Sequence, residues 1–210
     1  MRSVQRAYFD DLYAHSDDPW RIAGNWYEHR KRSLVAAMLP RRHFRHGFEP
    51  GCGSGELTLE LGRRCERLLV GDFSETAVDI AQERWQLASA WRRTECMAQF
   101  VCMTVPQDWP LALGPAFDLI VISEFAYYLD AASLQVLPQL IAGSLSADGV
   151  LLACHWKRDF SERSHATAIV HGIFDRAPGL CHSARYEDAD FLLDLWSREI
   201  QSVAQREALT

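Results

Sequence analysis

The most chemically informative stretch of the chain is a glycine loop with an acidic residue on either side of it. Gly51, Gly53 and Gly55 occupy every second position, and Glu49 stands two residues before the first of them. Glycines let the backbone turn sharply and let a ligand approach it closely, because no Cβ is in the way. Asp72 follows Gly51 by 21 residues, a spacing at which a carboxylate binds ribose hydroxyls. We therefore expect a nucleoside-containing ligand at this loop.

The residues around the loop predict the elements that hold it in place. Residues 48–50 end a strand, residues 56–64 form a helix, and residues 68–71 form a second strand that leads to Asp72. A helix that begins at the loop points its free N–H groups at the ligand and favours a negatively charged group there. Glu56 stands where a dinucleotide fingerprint has its third glycine, which argues against a nicotinamide cofactor.

Both features also have a structural interpretation. Glycine-rich turns join strands to helices without binding anything, and Asp72 could be the N-cap of the next helix. Ser74 could cap that helix equally well. The spacing between loop and acid favours the ligand-binding interpretation of Asp72.

Beyond Asp72 the apolar pattern alternates between helices and strands. It predicts helices over residues 74–91, 130–145 and 161–176, strands over residues 98–103, 117–122 and 149–154, and a hairpin of strands 180–187 and 190–196 that turns at Asp188–Ala189. The run 117–122 is almost continuously apolar, as in a central parallel strand. The pattern predicts an α/β fold, a doubly wound and mostly parallel seven-stranded sheet with a C-terminal antiparallel hairpin.

Further candidate contacts follow the second and third strands, because open α/β sheets bind ligands at the carboxyl ends of their strands. Phe73 and Ser74 follow the second strand, and Thr104 and Val105 follow the third, where an adenine ring is expected. For Thr104 and Val105 the alternative is ordinary loop packing.

Two groups that could take up a proton follow the fourth and fifth strands. Glu124 comes after the fourth strand and His155 after the fifth. A positioned base assists a nucleophile that must lose a proton, and the unperturbed pKa of histidine is the better match to neutral pH. The structural alternatives are that Glu124 caps the turn that follows it and that His155 forms a hydrogen bond at the end of its strand. Tyr127, Tyr128 and Trp156 offer flat faces for an acceptor, unless they belong to the core.

Residues 1–45 precede the first strand and are rich in aromatic and basic side chains. We expect a helical lid on a core of residues 46–210, the chain 1–210 forming a single domain. In this lid Trp20 would cover the ligand, and Arg30 or Lys31 would meet a carboxylate. The alternative is an amphipathic helix that packs on the sheet and exposes its charges to solvent.

The composition argues against several classes of function. A formal net charge of −6 argues against nucleic-acid binding. No run approaches the roughly 18 apolar residues of a membrane-spanning helix, so we expect a cytoplasmic protein without membrane insertion. The six cysteines show no C-x-x-C pair and no repeated spacing, which predicts buried thiols rather than a metal site or disulfides.

The glycine loop with Glu49 and Asp72 resembles the first motif of class I S-adenosylmethionine (SAM) dependent methyltransferases. Further segments add to the resemblance: Asp17-Asp18-Pro19-Trp20, the helix from Trp26-Tyr27-Glu28, and residues 48–52, 67–70, 117–124 and 127–129. Residues 17–20 and 123–129 carry its narrower part. Together they resemble the nodulation protein S family, over roughly residues 8–155.

The resemblance implies the methyltransferase form of the doubly wound fold, with SAM as cofactor and no metal. The expected cofactor contacts are Trp20, Arg30, Glu49, Gly51, Gly53, Gly55, Asp72, Phe73, Ser74, Thr104 and Val105, and the expected catalytic residues are Glu124, Tyr128 and His155. The family implies methyl transfer to the free amine of a deacetylated chitooligosaccharide. Methylation of a non-sugar small molecule, SAM or NAD binding without methyl transfer, and the oligomeric state stay open.

Overall fold

The computed structural model describes residues 3–92, 95–113, 116–199 and 201–208. Two helices precede the sheet, α1 (Ser3–His15) and α2 (Trp26–Met38). The strands are β1 (Phe44–Pro50), β2 (Cys65–Asp72), β3 (Met97–Cys102), β4 (Phe117–Ser123), β5 (Leu145–Trp156), β6 (Cys181–Glu187) and β7 (Phe191–Ser197). The later helices are α3 (Glu56–Leu61), α4 (Glu75–Arg92), α5 (Ala131–Ser144), α6 (Thr167–Phe174) and α7 (Val203–Arg206).

The seven strands form one sheet in the order β3-β2-β1-β4-β5-β7-β6. The pairs from β3 to β5 are parallel, whereas β7 pairs antiparallel with β5 and with β6. The chain reverses its direction of strand addition between β1 and β4, which is where doubly wound sheets bind ligands. The predicted seven-stranded sheet with its C-terminal antiparallel hairpin is confirmed.

Helices cover both faces of the sheet because the central strands are apolar on both sides. In β4, Ile120 and Ile122 join the core beneath α5 and α6, whereas Leu119 and Val121 join the core beneath α2 and α3. Successive side chains of a strand point to opposite faces, so both cores draw on the same apolar run. Val35 of α2 belongs to the second core. Among the described residues, no helix is long and apolar enough to cross a membrane.

The helix predicted over residues 161–176 is shorter in the structure, where α6 covers only Thr167–Phe174. The guanidinium of Arg163 donates to three carbonyl oxygens of the preceding loop, at residues 157, 158 and 165. The Arg163 side chain thus binds the carbonyl of residue 165, which a helix over residues 161–176 would pair with a backbone N–H group. Residues 157–166 form an irregular loop beside the ligand-binding edge of the sheet.

The prediction that all cysteines are buried is wrong for two of them. Cys102 and Cys181 are exposed, whereas Cys52, Cys65, Cys96 and Cys154 are buried. The exposed pair lies in β3 and β6, the two edge strands, where fewer neighbours cover each side chain. No cluster of cysteine, histidine or acidic side chains within the described ranges could hold a metal ion.

Gly55 offers a test of how the glycine loop is packed. It adopts φ +81°, and a Cβ added to it would lie 2.8 Å from the Cβ of Ala81 in α4. We expect Gly55→Ala to lower the free energy of unfolding by about 1–3 kcal/mol, because the left-handed conformation costs alanine about 1–2 kcal/mol and the contact adds strain. Urea denaturation measures the change.

The matched control is Gly172→Ala in α6, where no heavy atom lies within 4 Å of an added Cβ. We expect this variant to be as stable as the wild type or more stable by up to about 1 kcal/mol, because alanine is the better helix former. Equal stability of Gly55→Ala and the wild type would contradict the tight packing of the loop on α4.

Candidate functional site

A cavity of about 470 Å³ opens at the carboxyl ends of the parallel strands. Its walls come from the N-terminal helices, the glycine loop, the residues after β2 and β4, and the loop after β5. The predicted site residues that line it are Trp20, Glu49, Gly51, Gly53, Asp72, Phe73, Val105, Glu124 and Tyr128. Its size falls in the range of small-molecule pockets. The residues predicted for a cofactor and those predicted for an acceptor therefore border the same space.

The glycine loop forms one wall of this cavity. Gly51, Gly53 and Gly55 have φ values of +95°, +52° and +81°, a region that other residues rarely adopt. The first two N–H groups of the loop both donate to the carbonyl oxygen of Gly71, which attaches the loop to the end of β2. A Cβ on Gly51 would lie 2.6 Å from the ring of Phe125. Only glycine therefore fits at this point of the wall.

Asp72, at the end of β2, both supports the loop and lines the cavity. Its Oδ2 accepts from the N–H of Gly53 at 3.0 Å, and its Oδ1 accepts from the N–H of Ser74 at 3.0 Å. Burial raises the pKa of Asp72, although these N–H donors act in the opposite direction. A carboxylate oxygen can accept more than one hydrogen bond. The carboxylate thus keeps acceptor positions of the kind that paired ribose hydroxyls need.

Glu49 lies under the loop at the end of β1 and is only 2% exposed. Its Oε2 accepts from the Thr58 hydroxyl at 2.6 Å. Burial raises the pKa of Glu49 to about 8, while the Thr58 hydrogen bond lowers it and the Asp72 charge raises it further. The group is therefore mostly protonated at neutral pH, and a cationic ligand group beside it would favour its ionised form.

Two buried hydroxyls of the cavity wall have no hydrogen-bond partner within the described part of the protein. One is Ser54 Oγ in the glycine loop, and the other is Tyr27 Oη in α2. Buried polar groups are seldom left unpaired, so both atoms indicate where a bound ligand would make contacts. The sequence analysis did not identify Ser54 as a contact, although the residue lies inside the glycine motif.

Two of the basic residues of α2, Lys31 and Arg32, line the cavity, whereas Arg30 lies outside it. Consecutive helical residues point about 100° apart, and the cavity is lined by Lys31 and Arg32 but not by Arg30. Arg30 binds Asp188 at 2.8 Å and the hydroxyl of Tyr186, which fastens α2 to the β6–β7 hairpin. The expectation that Arg30 contacts the ligand is therefore not supported.

Arg32 is a cavity residue that the sequence analysis missed. Its guanidinium donates to the carbonyl oxygen of Ile22 at 2.7 Å and lies 3.8 Å from Glu56. The side chain is almost completely buried, and Glu56 also binds Arg84 at 3.1 Å. Arg32 thus brings a largely desolvated positive charge to the end of the cavity near the glycine loop.

Aromatic side chains from the N-terminal segment cover the glycine loop. The Tyr13 hydroxyl lies 3.3 Å from the position of a Cβ on Gly53. The Phe9 ring lies 5.2 Å from the Phe73 ring, between centroids. Trp20 contacts the rings of both Phe9 and Tyr13 and remains 40% exposed. This cover reduces the access of water to a ligand on the loop.

Glu124 follows β4 and is held from three directions. Its Oε1 accepts from Lys31 Nζ at 2.8 Å. Its Oε2 accepts from the Tyr127 hydroxyl at 2.7 Å and from the Trp156 N–H at 2.9 Å. The backbone φ of +58° is uncommon for a residue with a side chain, and such strain is concentrated at functional sites. A carboxylate has about four lone-pair positions, so one position remains for a ligand.

Lys31 is a buried cation shared by two carboxylates. It is 7% exposed and lies 2.9 Å from Glu28 and 2.8 Å from Glu124. Burial by itself would lower the pKa of Lys31, but the neighbouring acids outweigh it and raise the pKa above its ordinary value. Two carboxylates around one ammonium give this part of the cavity a formal net charge of −1.

The far end of the cavity is lined with aromatic rings. Tyr128 lies 4.8 Å from Tyr127, 5.5 Å from Phe160 and 5.1 Å from Phe9, between ring centroids. Trp156 stacks on Phe160 with 25° between their planes. Burial raises the pKa of Tyr128, so its hydroxyl stays neutral. Flat walls beside an acidic centre suit an acceptor with a weakly polar face and a cationic group.

Four predicted contacts other than Arg30 do not line the cavity: Gly55, Ser74, Thr104 and His155. Gly55 packs against α4 instead, which is the role of a glycine at a close helix contact. Ser74 directly precedes α4, and its hydroxyl accepts from the N–H of Ala77 at 3.4 Å. The N–H of Thr104 donates to Asp108.

His155 lies on the side of β5 opposite the cavity, so the expectation that it takes a proton from an acceptor is not supported. Successive side chains of a strand alternate in direction, and Trp156, the next residue, lines the cavity. The His155 side chain is fully buried, with Nδ1 3.0 Å from Nε2 of His171. Burial lowers the pKa of His155 well below its ordinary value.

Glu49 gives a pH-dependent prediction. Its folded-state pKa of about 8 exceeds the ordinary value of 4.5, so the folded protein binds more protons than the unfolded chain between these pH values. This difference makes stability fall with rising pH across that window, by up to about 1.4 kcal/mol per pH unit. We expect Glu49→Gln to remove this component, as measured by urea denaturation from pH 5 to pH 8.5. Glu75→Gln, at an exposed position, is the control, and an unchanged slope in Glu49→Gln would contradict the prediction.

Comparison with known proteins identifies relatives of the chain. Residues 8–164 match the family model of Nodulation protein S (NodS). The nodulation protein S of Rhizobium tropici is 29% identical over 115 residues, which cover 54% of this chain and 44% of that protein. Across three such relatives the aligned part spans 44%, 58% and 61% of their length, so the chain covers about half of the curated relatives it matches.

Two solved structures share the fold. A presumed methyltransferase from Pseudomonas syringae is 41% identical, with a TM-score of 0.66 over 83% of this chain and 100% of that one. The N-methyltransferase NodS of Bradyrhizobium japonicum, solved with S-adenosyl-L-homocysteine, is 23% identical, with a TM-score of 0.72 over 91% of this chain and 97% of that one. The family match at residues 8–164 includes all the described residues that line the cavity, which run from Tyr8 to Glu162. The chain therefore belongs to the nodulation protein S family.

Proposed function

We propose that the protein is a SAM-dependent methyltransferase that methylates the amine of an amino sugar. One observation carries the proposal: a single cavity joins the glycine loop and Asp72 to the Glu124 carboxylate and the aromatic end. A donor and an acceptor bound at these two ends would share one desolvated space. Holding two reactants in line can supply roughly 7–11 kcal/mol of the barrier reduction, and methyl transfer needs little else from the protein.

The groups at the loop end fit SAM. When bound, SAM supplies a methyl group that its sulfonium charge has already activated. Asp72 would accept from the ribose hydroxyls, and Ser54 would give its unpaired hydroxyl to the methionine part. Arg32 would meet the methionine carboxylate, and Glu49 would face the methionine ammonium, which would stabilise its ionised form. The neighbouring rings of Phe73 and Phe9 suit a flat adenine.

The N-terminal cover would act as the lid in this reaction. Residues 1–45 were expected to form it, but α2 packs in the core through Val35. We therefore assign the lid to α1 and the loop that carries Trp20. The side chains of Phe9, Tyr13 and Trp20 would exclude water from the methyl donor and prevent its hydrolysis.

The Glu124 end would bind the acceptor amine. The net negative charge of Glu28, Lys31 and Glu124 attracts an ammonium group, and the remaining acceptor position on Glu124 would hold one N–H. An amine must lose a proton before its lone pair attacks, and a positioned base contributes about 10²–10⁴-fold. Because His155 does not line the cavity, we assign this proton to Glu124. The rings of Tyr127 and Tyr128 would support the sugar face.

A second candidate is N-methylation of a flat aromatic amine rather than an amino sugar. The stacked Trp156 and Phe160 and the adjoining tyrosines favour it. One structure of the same fold, 15% identical, is a Burkholderia thailandensis N1-methyltransferase with bound 1,6-didemethyltoxoflavin. This alternative keeps the same donor end and differs only in the shape of the acceptor.

Asp72→Ala tests the donor site. We expect SAM binding to weaken by roughly tenfold or more, because losing hydrogen bonds to a buried group costs about 1–3 kcal/mol. Isothermal titration calorimetry measures the affinity, and thermal unfolding establishes that the variant is folded. Asp79→Ala, at an exposed position of α4, is the matched control. Unchanged affinity in a folded Asp72→Ala variant would remove Asp72 from the donor site.

A panel of acceptors tests the reaction. We expect methyl transfer from SAM to the amine of a glucosamine disaccharide and none to its fully N-acetylated form, since the acetyl group removes the basic lone pair. Glu124→Gln should lower kcat/KM for the acceptor by about tenfold or more while SAM affinity stays within about twofold. Mass spectrometry of the products and steady-state kinetics measure both effects.

Glu83→Gln, on the exposed side of α4, should behave as the wild type. Methylation of aromatic amines but not of the glucosamine disaccharide would select the second candidate. Methyl transfer only to hydroxyl groups, or full activity of Glu124→Gln, would contradict the proposal.

A further inference from the structure

A buried chain of hydrogen bonds outside the cavity ends next to the Glu124 site. It consists of Asp194 in β7, His171 in α6 and His155 in β5, and we call it the histidine chain. His171 Nδ1 lies 2.8 Å from Asp194 Oδ2, and His171 Nε2 lies 3.0 Å from His155 Nδ1. The three side chains are 0%, 1% and 0% exposed. Because these three polar side chains are buried away from the cavity, ligand binding does not explain their presence.

The negative charge of Asp194, at the start of the histidine chain, is balanced by side chains of β6. Arg185 donates to both oxygens of Asp194 at 2.8 Å, and His182 lies 2.8 Å from Oδ1. Burial alone would raise the pKa of Asp194, but the hydrogen bonds from His171, Arg185 and His182 hold it well below its ordinary value. Asp194 is therefore ionised, and the Arg185 guanidinium compensates its charge.

This arrangement selects one tautomer of each buried ring. The Asp194 carboxylate can only accept, so a hydrogen lies on His171 Nδ1. Burial lowers the pKa of His155 well below its ordinary value, so its ring carries one hydrogen. His155 Nε2 is buried and has no hydrogen-bond partner within the described residues, whereas His155 Nδ1 lies 3.0 Å from His171 Nε2. The hydrogen of His155 therefore lies on Nδ1, where it has a partner, and Nε2 is bare.

His155 touches both groups that donate to the second oxygen of Glu124. Its ring lies edge to face against the Tyr127 ring, with centroids 5.2 Å apart, and the Tyr127 hydroxyl donates to Glu124 Oε2. Trp156 follows His155 in the chain, and its backbone N–H donates to the same oxygen. A shift of His155 would therefore displace both donors together.

We propose that the histidine chain positions the Glu124 carboxylate for the acceptor, so that Asp194, His171 and His155 are positioning residues that never touch a substrate. The inference rests on the proposed function, in which Glu124 binds the acceptor. Fixed hydrogen bonds hold the orientation of His155 more precisely than packing alone would, and small displacements of a reacting group lower rates strongly. His155 then acts through Tyr127 and Trp156, not as a base.

Nitrogen-15 NMR of the full chain tests the arrangement without any acceptor. We expect a protonated Nδ1 and a bare Nε2 on His155. In His171→Leu this preference should be lost, whereas in His182→Leu, which leaves the histidine chain intact, it should remain. A hydrogen on Nε2 of His155 in the wild type would overturn the inference. Because this measurement uses no acceptor, an inactive wild type would count against the proposed function alone.

Kinetics with the glucosamine disaccharide test the consequence. His155→Phe keeps a ring against Tyr127 but loses the bond to His171, and we expect it to lower acceptor kcat/KM about tenfold. The SAM dissociation constant should stay within about twofold, whereas a general loss of structure would change both. His182→Leu should match the wild type. Wild-type acceptor kinetics in folded His155→Phe would overturn the inference. If His155→Phe does not fold, the same kinetic comparison is made with His171→Leu, and wild-type acceptor kinetics in that variant would overturn the inference.

Discussion

The ion pair between the buried Lys31 and the partly exposed Glu124 is the interaction on which the rest of the site depends. It joins α2, which precedes the sheet, to the end of the central strand β4. A buried charge without a partner costs several kcal/mol, so the Lys31 ammonium is held between its two carboxylates, Glu124 and Glu28. The pair therefore fixes the distance between the N-terminal wall of the cavity and the sheet. Arg30, one residue earlier, fastens the outer side of the same helix to Asp188.

The two ends of the cavity are built by different kinds of interaction. The loop end is local: Gly51 and the following N–H group bind the carbonyl of Gly71, and Gly53 binds Asp72, because the parallel neighbours β1 and β2 end side by side. The acceptor end is assembled from residues far apart in the chain, and Lys31, Tyr127 and the Trp156 N–H all bind Glu124. One end is therefore common to many proteins that bind nucleosides, whereas the other depends on the packing of this particular chain.

The corrections for Arg30 and His155 share one cause, the direction in which each side chain points. Arg30 and Lys31 are adjacent, yet a helix turns about 100° per residue and sends only Lys31 into the cavity. His155 and Trp156 are adjacent, yet a strand reverses its face at each residue, and the imidazole joins His171 instead of the acceptor. Composition and spacing identified the correct segments in both cases, but the neighbouring elements decided which residue faces the ligand.

The sequence by itself determined the fold class, the strand-ending glycine loop and its partner Asp72, because these rest on periodicity and on spacing within one strand–loop–helix–strand unit. It also located Glu124, since a residue after a buried central strand must lie at the carboxyl edge of the sheet. Only the tertiary structure decided the ion pair of Lys31, the contribution of Arg32 and the separation of His155 from the cavity. These contacts join residues up to 93 positions apart, and no local pattern encodes which faces of α2, β4 and β5 meet.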